Sequence, residues 1–230
     1  MERGIMREYL TITNEDNMDL MARYPDNHFD LAIVDPPYGI GVFTSEKNTS
    51  SKGIRKKNKK IYTDDYKWNE EIPSEKYFKE LQRVSKKRVI WGSNYYPIVD
   101  GTGGSLIWYK GRTTNKVSHA EIASLSFQTK VDYTHINWQS GFYRKVKEGQ
   151  QIHPCQKPVQ LYKWLLTNYA KEGDKILDTH LGSGSIAIAV DSVNKIEKMN
   201  LTLTACELDV DYFNSATKRI EEQTKWNSLF

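Results

Sequence analysis

A chain of 230 residues with a formal charge of +4 can form one large domain with a buried core, and its mild basic excess permits a polyanionic partner without requiring one. The two cysteines, Cys155 and Cys206, lack paired spacing, which argues against a disulfide framework or a metal site and favours a reducing compartment. No apolar run approaches the ~18 residues of a membrane span, and we recognise no signal segment. We therefore expect a soluble, cytoplasmic protein with no membrane contact.

Strands and helices alternate along the sequence, which is typical of an α/β layered fold. The predicted strands are residues 9–13, 30–34, 88–91, 105–108, 175–177 and 201–206. The predicted helices are residues 18–23, 73–84, 158–170, 185–193 and 210–223. The pattern predicts a single domain over residues 1–230, built in three layers around a mostly parallel sheet.

The second predicted strand ends in the sequence Asp35-Pro36-Pro37-Tyr38. Each proline fixes its own φ and lacks an N–H group, so the strand stops abruptly at this corner. The Asp35 carboxylate and the Pro36 carbonyl are then fixed acceptors beside the ring of Tyr38, which suits a planar amino group on a heterocycle. The alternative is a proline-rich turn in which Asp35 caps the backbone and Tyr38 is packing.

Residues 44–61 interrupt the alternation because they are polar and basic and present no apolar face. We predict a mobile basic loop at the rim of the site, where it could close over a phosphate backbone. Its predicted nucleic-acid-binding residues are Lys52, Arg55, Lys56, Lys57, Lys59 and Lys60. The alternative is a solvated run of charges without a partner.

A later predicted strand ends at Asp178 and leads through a glycine turn, residues 182–184, into a helix. Gly182 and Gly184 would let the backbone approach a ligand closely at the helix N-terminus. This turn matches neither the Gly-x-Gly-x-x-Gly pattern for pyrophosphate nor the Gly-Lys-Ser/Thr pattern of a P-loop. A tight strand–helix connection without a ligand is the alternative.

A third strand ends at Glu207, where a carboxylate could accept hydrogen bonds from ribose hydroxyls. Open α/β sheets bind ligands at the carboxyl ends of their strands, so Asp35, Asp178 and Glu207 together indicate a site more strongly than any one of them. An adenosine-bearing cofactor without a pyrophosphate fits this set best, and S-adenosylmethionine is the cofactor we predict.

Taken in order, these motifs resemble the permuted group of amino-methylating DNA methyltransferases, in which the catalytic motif precedes the cofactor motif. The matching pieces are Asp16 within residues 13–18, residues 35–38, residues 91–95, Trp108 with Lys110, residues 118–127 with Glu121, residues 153–158, residues 178–185 and Glu207. The most specific pair is His-Pro-x-Gln-Lys-Pro at 153–158 followed by Asp-x-x-x-Gly-Ser-Gly at 178–184. The resemblance implies a circularly permuted, Rossmann-like S-adenosylmethionine-dependent methyltransferase fold over nearly the whole chain.

By position, the resemblance implies roles for the residues of the catalytic and cofactor motifs. The residues around the target amino group are Asp35, Pro36, Pro37 and Tyr38. The cofactor-binding residues are Asp16 near the adenine, Glu207 at the ribose, and Asp35, Asp178, Thr179, His180, Gly182, Ser183 and Gly184 around the methionine part. The residues that close the cofactor pocket are His153, Gln156 and Lys157, with Lys157 a partner for the cofactor carboxylate. His180 stands where the family usually has phenylalanine, which raises the question of pH dependence.

The implied reaction is methyl transfer to an exocyclic amine of a flipped-out DNA base. An aspartate at the first position of the catalytic motif favours adenine N6 over cytosine N4 within this family. The alternatives are N4-cytosine methylation, an RNA substrate, and a DNA-binding relative without catalysis. Relatives in this group are often dimers, so a homodimer is one assembly that the resemblance allows.

Residues 128–152 occupy the place of a target-recognition segment in related enzymes. They hold an aromatic and basic set consisting of His135, Trp138, Tyr143, Arg144, Lys145 and Lys147. The other predicted nucleic-acid-binding residues are Lys110 and Arg112, with Arg144 and Lys145 from this segment. A segment of this length offers a smaller contact surface than the ~600–1,000 Å² of a single reading module. We therefore predict a short or relaxed target sequence, or one completed by a second subunit or by the loop at 44–61. The alternative places Trp138 and Tyr143 in the core and leaves the basic residues solvated.

Overall fold

The computed structural model describes residues 5–40, 71–97, 103–111, 118–138, 148–149 and 151–225. The strands are β1 Ile5–Arg7, β2 Leu10–Asn14, β3 Phe29–Val34, β4 Ser85–Trp91, β5 Gly104–Tyr109, β6 Ala120–Leu125, β7 Val131–His135, β8 Lys175–Asp178 and β9 Thr202–Glu207. The helices are α1 Asn17–Ala22, α2 Glu75–Val84, α3 Val159–Tyr169, α4 Ser185–Glu197 and α5 Val210–Lys225, and a 3₁₀ turn at Ser93–Tyr95 follows β4.

These residues form one nine-stranded sheet with the order β1-β2-β9-β8-β3-β4-β6-β5-β7. Most neighbouring strands are parallel, whereas β6 runs antiparallel to β4 and β5, and β1 runs antiparallel to β2. Strand β2 pairs in parallel with β9, in the register Leu10↔Leu203. Segments from opposite ends of the sequence are thus neighbours inside the sheet, as a permuted chain requires. The predicted mostly parallel, Rossmann-like α/β fold is confirmed.

The core lies on both faces of the sheet. Leu31 and Ile33 of β3 pack in the cluster that includes the buried sides of α3, α4 and α5. Ala32 and Val34 pack in the opposite cluster with α1 and α2. Because helices cover both faces, β3 is a continuous apolar run instead of an alternating one, and the three predicted layers are present.

Strands β3 and β8 are adjacent and parallel at the centre, with Leu31 opposite Ile176. From β3 the chain proceeds to β4 on one side, and from β8 it proceeds to β9 on the other. Such a reversal opens a crevice outside the carboxyl ends of the two strands. Asp35 follows β3 and Asp178 ends β8, so both predicted acids lie at this crevice.

Several predicted features fall outside the described residues. They are the basic loop at 44–61, with Lys52, Arg55, Lys56, Lys57, Lys59 and Lys60, together with Arg112, Tyr143, Arg144, Lys145 and Lys147. The division of the chain into one domain with a basic loop and a recognition segment stays a prediction. Among the helices that are described, none combines the length and apolar character needed to cross a membrane.

Candidate active site

A cavity of about 630 Å³ opens at the carboxyl ends of the central strands. Its lining includes most of the predicted site residues, namely Asp16, Asp35, Pro36, Pro37, Tyr38, His153, Gln156, Lys157, Thr179, His180, Gly182, Ser183 and Glu207. Asp178 is buried at the end of β8, and Gly184 is the N-cap of α4. The corner at residues 35–38 and the glycine turn therefore face one common cavity.

The acceptors at the corner are already held by local hydrogen bonds. The hydroxyl of Tyr38 donates to Asp35 Oδ1, and the hydroxyl of Tyr96 donates to the Pro36 carbonyl at 2.8 Å. The ring of Tyr38 stacks on Tyr95, with centroids 5.0 Å apart and planes 14° from parallel. A carboxylate and a carbonyl have further lone pairs, so Asp35 and Pro36 can each accept another hydrogen bond.

Gly92 brings the backbone that precedes the 3₁₀ turn against the ring of Tyr38. Its φ is +72°, and a Cβ at this position would lie 2.2 Å from Tyr38 Cε1. Both the left-handed conformation and the close approach require a residue without a side chain. The position of the Tyr38 ring therefore depends on glycine at residue 92.

Lys157 lies beneath the corner, where it contacts two carboxylates. Its Nζ donates to Asp35 Oδ2 and lies 3.1 Å from Glu121 Oε2, and its side chain is only 3% exposed. The resemblance assigns Lys157 to the cofactor carboxylate; in the structure its two counter-charges, which a buried ammonium requires, both come from the protein. Lys157 lines the cavity but is directed toward Asp35.

The structure contradicts one predicted nucleic-acid contact, Lys110, and places Trp138 in the core. Lys110 is 8% exposed and its Nζ pairs with Glu121, so a buried, paired ammonium cannot reach a phosphate on the surface. Trp138 is 4% exposed, and its Nε1 donates to the Gln156 carbonyl at 3.1 Å. Trp138 is therefore a core residue, as the alternative interpretation held, whereas His135 of β7 is exposed.

The charges beneath the corner depend on one another. Burial raises the pKa of Asp35, and the adjacent Lys157 ammonium opposes that rise. Burial also acts to raise the pKa of Glu121, but Lys157 and Lys110 outweigh it and lower this pKa to about 2. Burial disfavours the Lys157 ammonium, yet Asp35 and Glu121 reverse the balance and raise its pKa. Lys157 and Glu121 are therefore both ionised at neutral pH.

Two carboxylates fix the backbone on the other side of the cavity by hydrogen bonds. Asp178 Oδ1 accepts from the His180 N–H at 2.9 Å, and Glu207 Oε2 accepts from the Gly182 N–H at 2.8 Å. Gly182 and Gly184 have φ of +54° and +73°, which explains why glycine is present at both positions. Burial raises the pKa of Asp178 to about 8, so its charge state at neutral pH responds to any nearby cation.

His180 lies in a polar chain that was not predicted. Its Nε2 is 3.2 Å from Asn17 Nδ2, and its Nδ1 is 2.9 Å from Thr179 Oγ1. Thr179 Oγ1 is also 2.7 Å from the hydroxyl of Tyr77. With the Asn17 amide as a donor, His180 accepts at Nε2 and carries its proton on Nδ1. Burial lowers the pKa of His180 to about 3, so the ring is neutral at physiological pH.

Replacing His180 by phenylalanine should make the protein less sensitive to acid. The folded-state pKa is about 3, whereas the unfolded value is ~6.5. The unfolded state therefore binds the extra proton first, and His180 reduces stability as the pH falls through this window, by up to about 1.4 kcal/mol per pH unit. Urea unfolding between pH 7 and 4 should give a shallower decline for His180→Phe than for the wild type.

His135→Phe is the matched control, because it makes the same change of side chain at an exposed position. Equal slopes for the wild type and His180→Phe would contradict the neutral, buried state of His180.

Sequence reasoning missed several residues that shape the site. Tyr77 lies within the predicted helix at 73–84 and had no assigned role, although its hydroxyl reaches Thr179. Asn17 follows Asp16 within the first motif, but nothing in its type predicted a contact with His180. Glu121 was part of a matching motif without an assigned role, and its partners come from other elements.

The family model for DNA methylases, N6_N4_Mtase, matches residues 54–218. This match covers more than half of the chain, and the protein belongs to this family of DNA methylases.

Individual relatives share low sequence identity with this chain. The type II methyltransferase M2.DpnII of Streptococcus pneumoniae is 28% identical over 90 residues, which are 39% of this chain and 31% of that protein, so the match spans less than a third of this relative's length. The structure of M1.HpyAVI in complex with S-adenosylmethionine superposes with a TM-score of 0.55 at 16% identity, covering 91% of this chain and 99% of that one. The PvuII DNA methyltransferase, described as cytosine-N4-specific, superposes with a TM-score of 0.56 at 12% identity, covering 96% and 92%. At such identities the structural likeness shows the fold alone.

Proposed function

We propose that the protein transfers a methyl group from S-adenosylmethionine to an exocyclic amine of a flipped-out DNA base, with adenine N6 as the preferred target. The observation that carries this proposal is the common cavity, into which both the Asp35 corner and the glycine turn open. A methyl donor against the turn and an amine at the corner would meet there. Membership of the DNA methylase family supports the same reaction.

The charges of the cavity fit a cationic cofactor better than a phosphorylated one. The carboxylates in its lining are Glu15, Asp16, Asp35, Glu71, Glu207 and Asp209. Among the lining residues that the structure describes, Lys157 is the one lysine or arginine, and it is paired with carboxylates. Burial lowers the pKa of His153 to about 4 and that of His180 to about 3, so both are neutral. Such walls would repel a pyrophosphate and attract the sulfonium and ammonium groups of S-adenosylmethionine.

Local hydrogen bonds orient the carboxylates that we assign to the adenosine part. Asp16 accepts from the Met18 N–H at 2.7 Å as the N-cap of α1. Glu207 Oε1 accepts from the Asp209 N–H at 3.1 Å. Each carboxylate has lone pairs left, which supports Asp16 as the residue beside the adenine and Glu207 as the acceptor for the ribose hydroxyls.

The bound cofactor supplies a sulfonium methyl group that is electrophilic without activation, so the protein acts on the nucleophile. Asp35 and the Pro36 carbonyl accept hydrogen bonds from the amine and favour a more tetrahedral nitrogen. These bonds strengthen as positive charge develops on that nitrogen, which lowers the barrier. Tyr38 stacks on the extruded base, a contact worth ~1–3 kcal/mol that offsets part of the few kcal/mol needed to flip it.

Cytosine N4 is the second candidate target, because the PvuII enzyme has the same fold and is described as cytosine-N4-specific. The test is to incubate the protein with labelled S-adenosylmethionine and duplex DNA or RNA, digest the product and separate the nucleosides. We expect labelled N6-methyldeoxyadenosine from DNA. Labelled N4-methyldeoxycytidine would favour the second candidate, and label in RNA alone would redirect the proposal to that substrate. No labelled nucleoside from either polymer would overturn the proposed activity and favour a DNA-binding protein without catalysis.

Cofactor affinity should increase with pH up to about 8, the raised pKa of Asp178 in the free protein. The ionised carboxylate attracts a cation, so the proton that Asp178 holds at lower pH must leave on binding. The affinity should therefore fall by up to about tenfold for each pH unit below this value. Calorimetry at pH 6, 7 and 8, in buffers with different ionisation enthalpies, would measure both the affinity and the released proton.

Asp178→Asn is the matched variant, since its amide oxygen can still accept from the His180 N–H. It should bind the cofactor weakly and with little dependence on pH. Wild-type affinity that is constant from pH 6 to 8, without proton release, would contradict this role of Asp178.

A further inference from the structure

Four charged side chains of alternating sign form a row beneath the corner at residues 35–38. Lys157 pairs with Asp35 and with Glu121, and Lys110 pairs with Glu121. The four come from four places in the fold: the end of β3, the segment before α3, strand β6, and the residue that follows β5. Their formal charges cancel, and one end of the row, Asp35, opens into the cavity.

Lys157 makes two hydrogen bonds and one further ion pair, all with protein groups. Its Nζ donates to Asp35 Oδ2 and to the Tyr38 hydroxyl at 3.3 Å, and it lies 3.1 Å from Glu121 Oε2. An ammonium has three donors and no acceptor, and these contacts direct it toward Asp35, Tyr38 and Glu121. The Nζ also lies 5.3 Å from the centroid of the Trp91 ring, which further fixes its position.

Stability alone is a weak reason for such a row, because buried ion pairs can often be replaced by apolar residues without loss of stability. A carboxylate as enclosed as Asp35 would tend to take up a proton if no cation were beside it. A protonated Asp35 would have a donor where the target amine needs an acceptor. The cation next to Asp35 therefore affects the reaction, because it favours the ionised carboxylate that accepts the hydrogen bond from the amine.

We propose that Lys157, held in place by Glu121, is a positioning residue that keeps the Asp35 carboxylate ionised and oriented toward the target amine, and that it does not bind the cofactor. This inference rests on the proposed methyl transfer at the same site.

Other titratable groups also act on Asp35. Those from the surrounding elements are Tyr38, Tyr77, Tyr96, Glu121, Cys155, Lys157, Tyr162 and Asp178, while Lys110 acts on Glu121. Lys157 is the cation in direct contact with Asp35, whereas Glu121 and Asp178 are acids. Removing the Lys157 charge should therefore raise the pKa of Asp35, and removing the Glu121 charge should lower it. Opposite shifts are an outcome that a purely structural role would not produce.

The test compares Lys157→Met, Lys157→Arg and Glu121→Gln. We expect the acidic limb of the pH profile of kcat to move upward by about one to three pH units in Lys157→Met, the range for loss of an adjacent opposite charge. It should return toward the wild-type position in Lys157→Arg and move downward in Glu121→Gln. Lys157 also lowers the pKa of Asp178, which is about 8, so the cofactor is titrated above this pH. Calorimetry there should give dissociation constants for Lys157→Met within about twofold of the wild type, because Glu207 and the glycine turn are unchanged. Lys79→Met, on the exposed surface of α2, is the control and should leave both measurements unchanged.

An unchanged acidic limb in Lys157→Met, with cofactor affinity reduced about tenfold or more, would overturn the inference and return Lys157 to the cofactor carboxylate.

A second measurement does not depend on turnover: ¹³C NMR of protein labelled at the aspartate carboxyl carbons, with the Asp35 signal assigned through Asp35→Asn. We expect the Asp35 titration to move upward in Lys157→Met and downward in Glu121→Gln, and coincident titrations would overturn the inference. If Lys157→Met fails to fold, Glu121→Gln still decides the question by the direction of its shift. A wild-type protein that methylates no nucleic acid would overturn the proposed function, while the NMR titration would still judge the effect of Lys157 on Asp35.

Discussion

Asp35→Asn should lower the turnover of methyl transfer by about a hundredfold to a thousandfold, the usual effect of removing one partner that stabilises developing charge. The amide has nearly the shape of the carboxylate but has no charge, and its nitrogen donates where the substrate amine also donates. Lys157 keeps its contact with Glu121, so the variant retains a counter-charge for the buried ammonium. Radioactive methyl incorporation into DNA would measure turnover, and calorimetry would measure cofactor binding.

Cofactor affinity should change little in this variant, because the other acids assigned to the cofactor, Asp16, Asp178 and Glu207, are unchanged. Asp19→Asn is the control, since Asp19 is exposed on α1 and should be neutral in both assays. Thermal unfolding would verify that Asp35→Asn is folded. Turnover of Asp35→Asn close to the wild-type value would remove Asp35 from the reaction.

Gly92→Ala should damage the contact with the target base while leaving the cofactor side of the cavity intact. Its φ is +72°, and the new Cβ would lie 2.2 Å from Tyr38 Cε1, so the ring must move. Losing the stacking contact of ~1–3 kcal/mol should reduce kcat/KM for DNA by roughly fivefold to a hundredfold. Steady-state kinetics with varied DNA would measure this loss, and calorimetry should give a nearly unchanged cofactor affinity.

Gly173→Ala is a close control for backbone strain. Gly173 has a φ of +79°, and a Cβ there would meet nothing within 4 Å. Both alanines incur the left-handed penalty of ~1–2 kcal/mol, but only Gly92→Ala also displaces Tyr38. If the two variants lost kcat/KM for DNA equally, the Tyr38 contact would not be the cause.

The two strand ends that form the site could be predicted because their signals are local. A continuous apolar run such as β3 is typical of a central parallel strand, and the prolines after Asp35 mark its end. Gly182 and Gly184 likewise mark the turn after β8. Parallel strands present their carboxyl ends at one edge of the sheet, so the proximity of Asp35, Asp178 and Glu207 could be predicted from the sequence alone.

Three strands were missed, namely β1, β6 and β7. Strand β6 has Glu121 within it and runs antiparallel between β4 and β5, so its pairing depends on segments far away in the sequence. Strand β7 lies at the edge of the sheet, and Val131 and Tyr133 are exposed there. Its apolar residues therefore face away from the core, which removes the usual hydrophobic signal of a strand.

The ion pairs of two lysines could not be predicted, for a common physical reason. Lysines are usually exposed, so partners outside the protein were predicted for Lys110 and Lys157. Lys157 instead pairs with Asp35, which is 122 positions away, and Lys110 pairs with Glu121 of the neighbouring strand β6. Ion pairs of this kind arise from the tertiary fold, and neither residue type nor local spacing specifies them.

A cavity lined by carboxylates should bind the positively charged methyl donor more tightly than the product that remains after transfer. Transfer converts the charged sulfonium into a neutral thioether, which removes much of the attraction that the acidic walls provide. The thioether product should therefore dissociate more readily than S-adenosylmethionine. The same carboxylates that favour cofactor binding would then also favour product release.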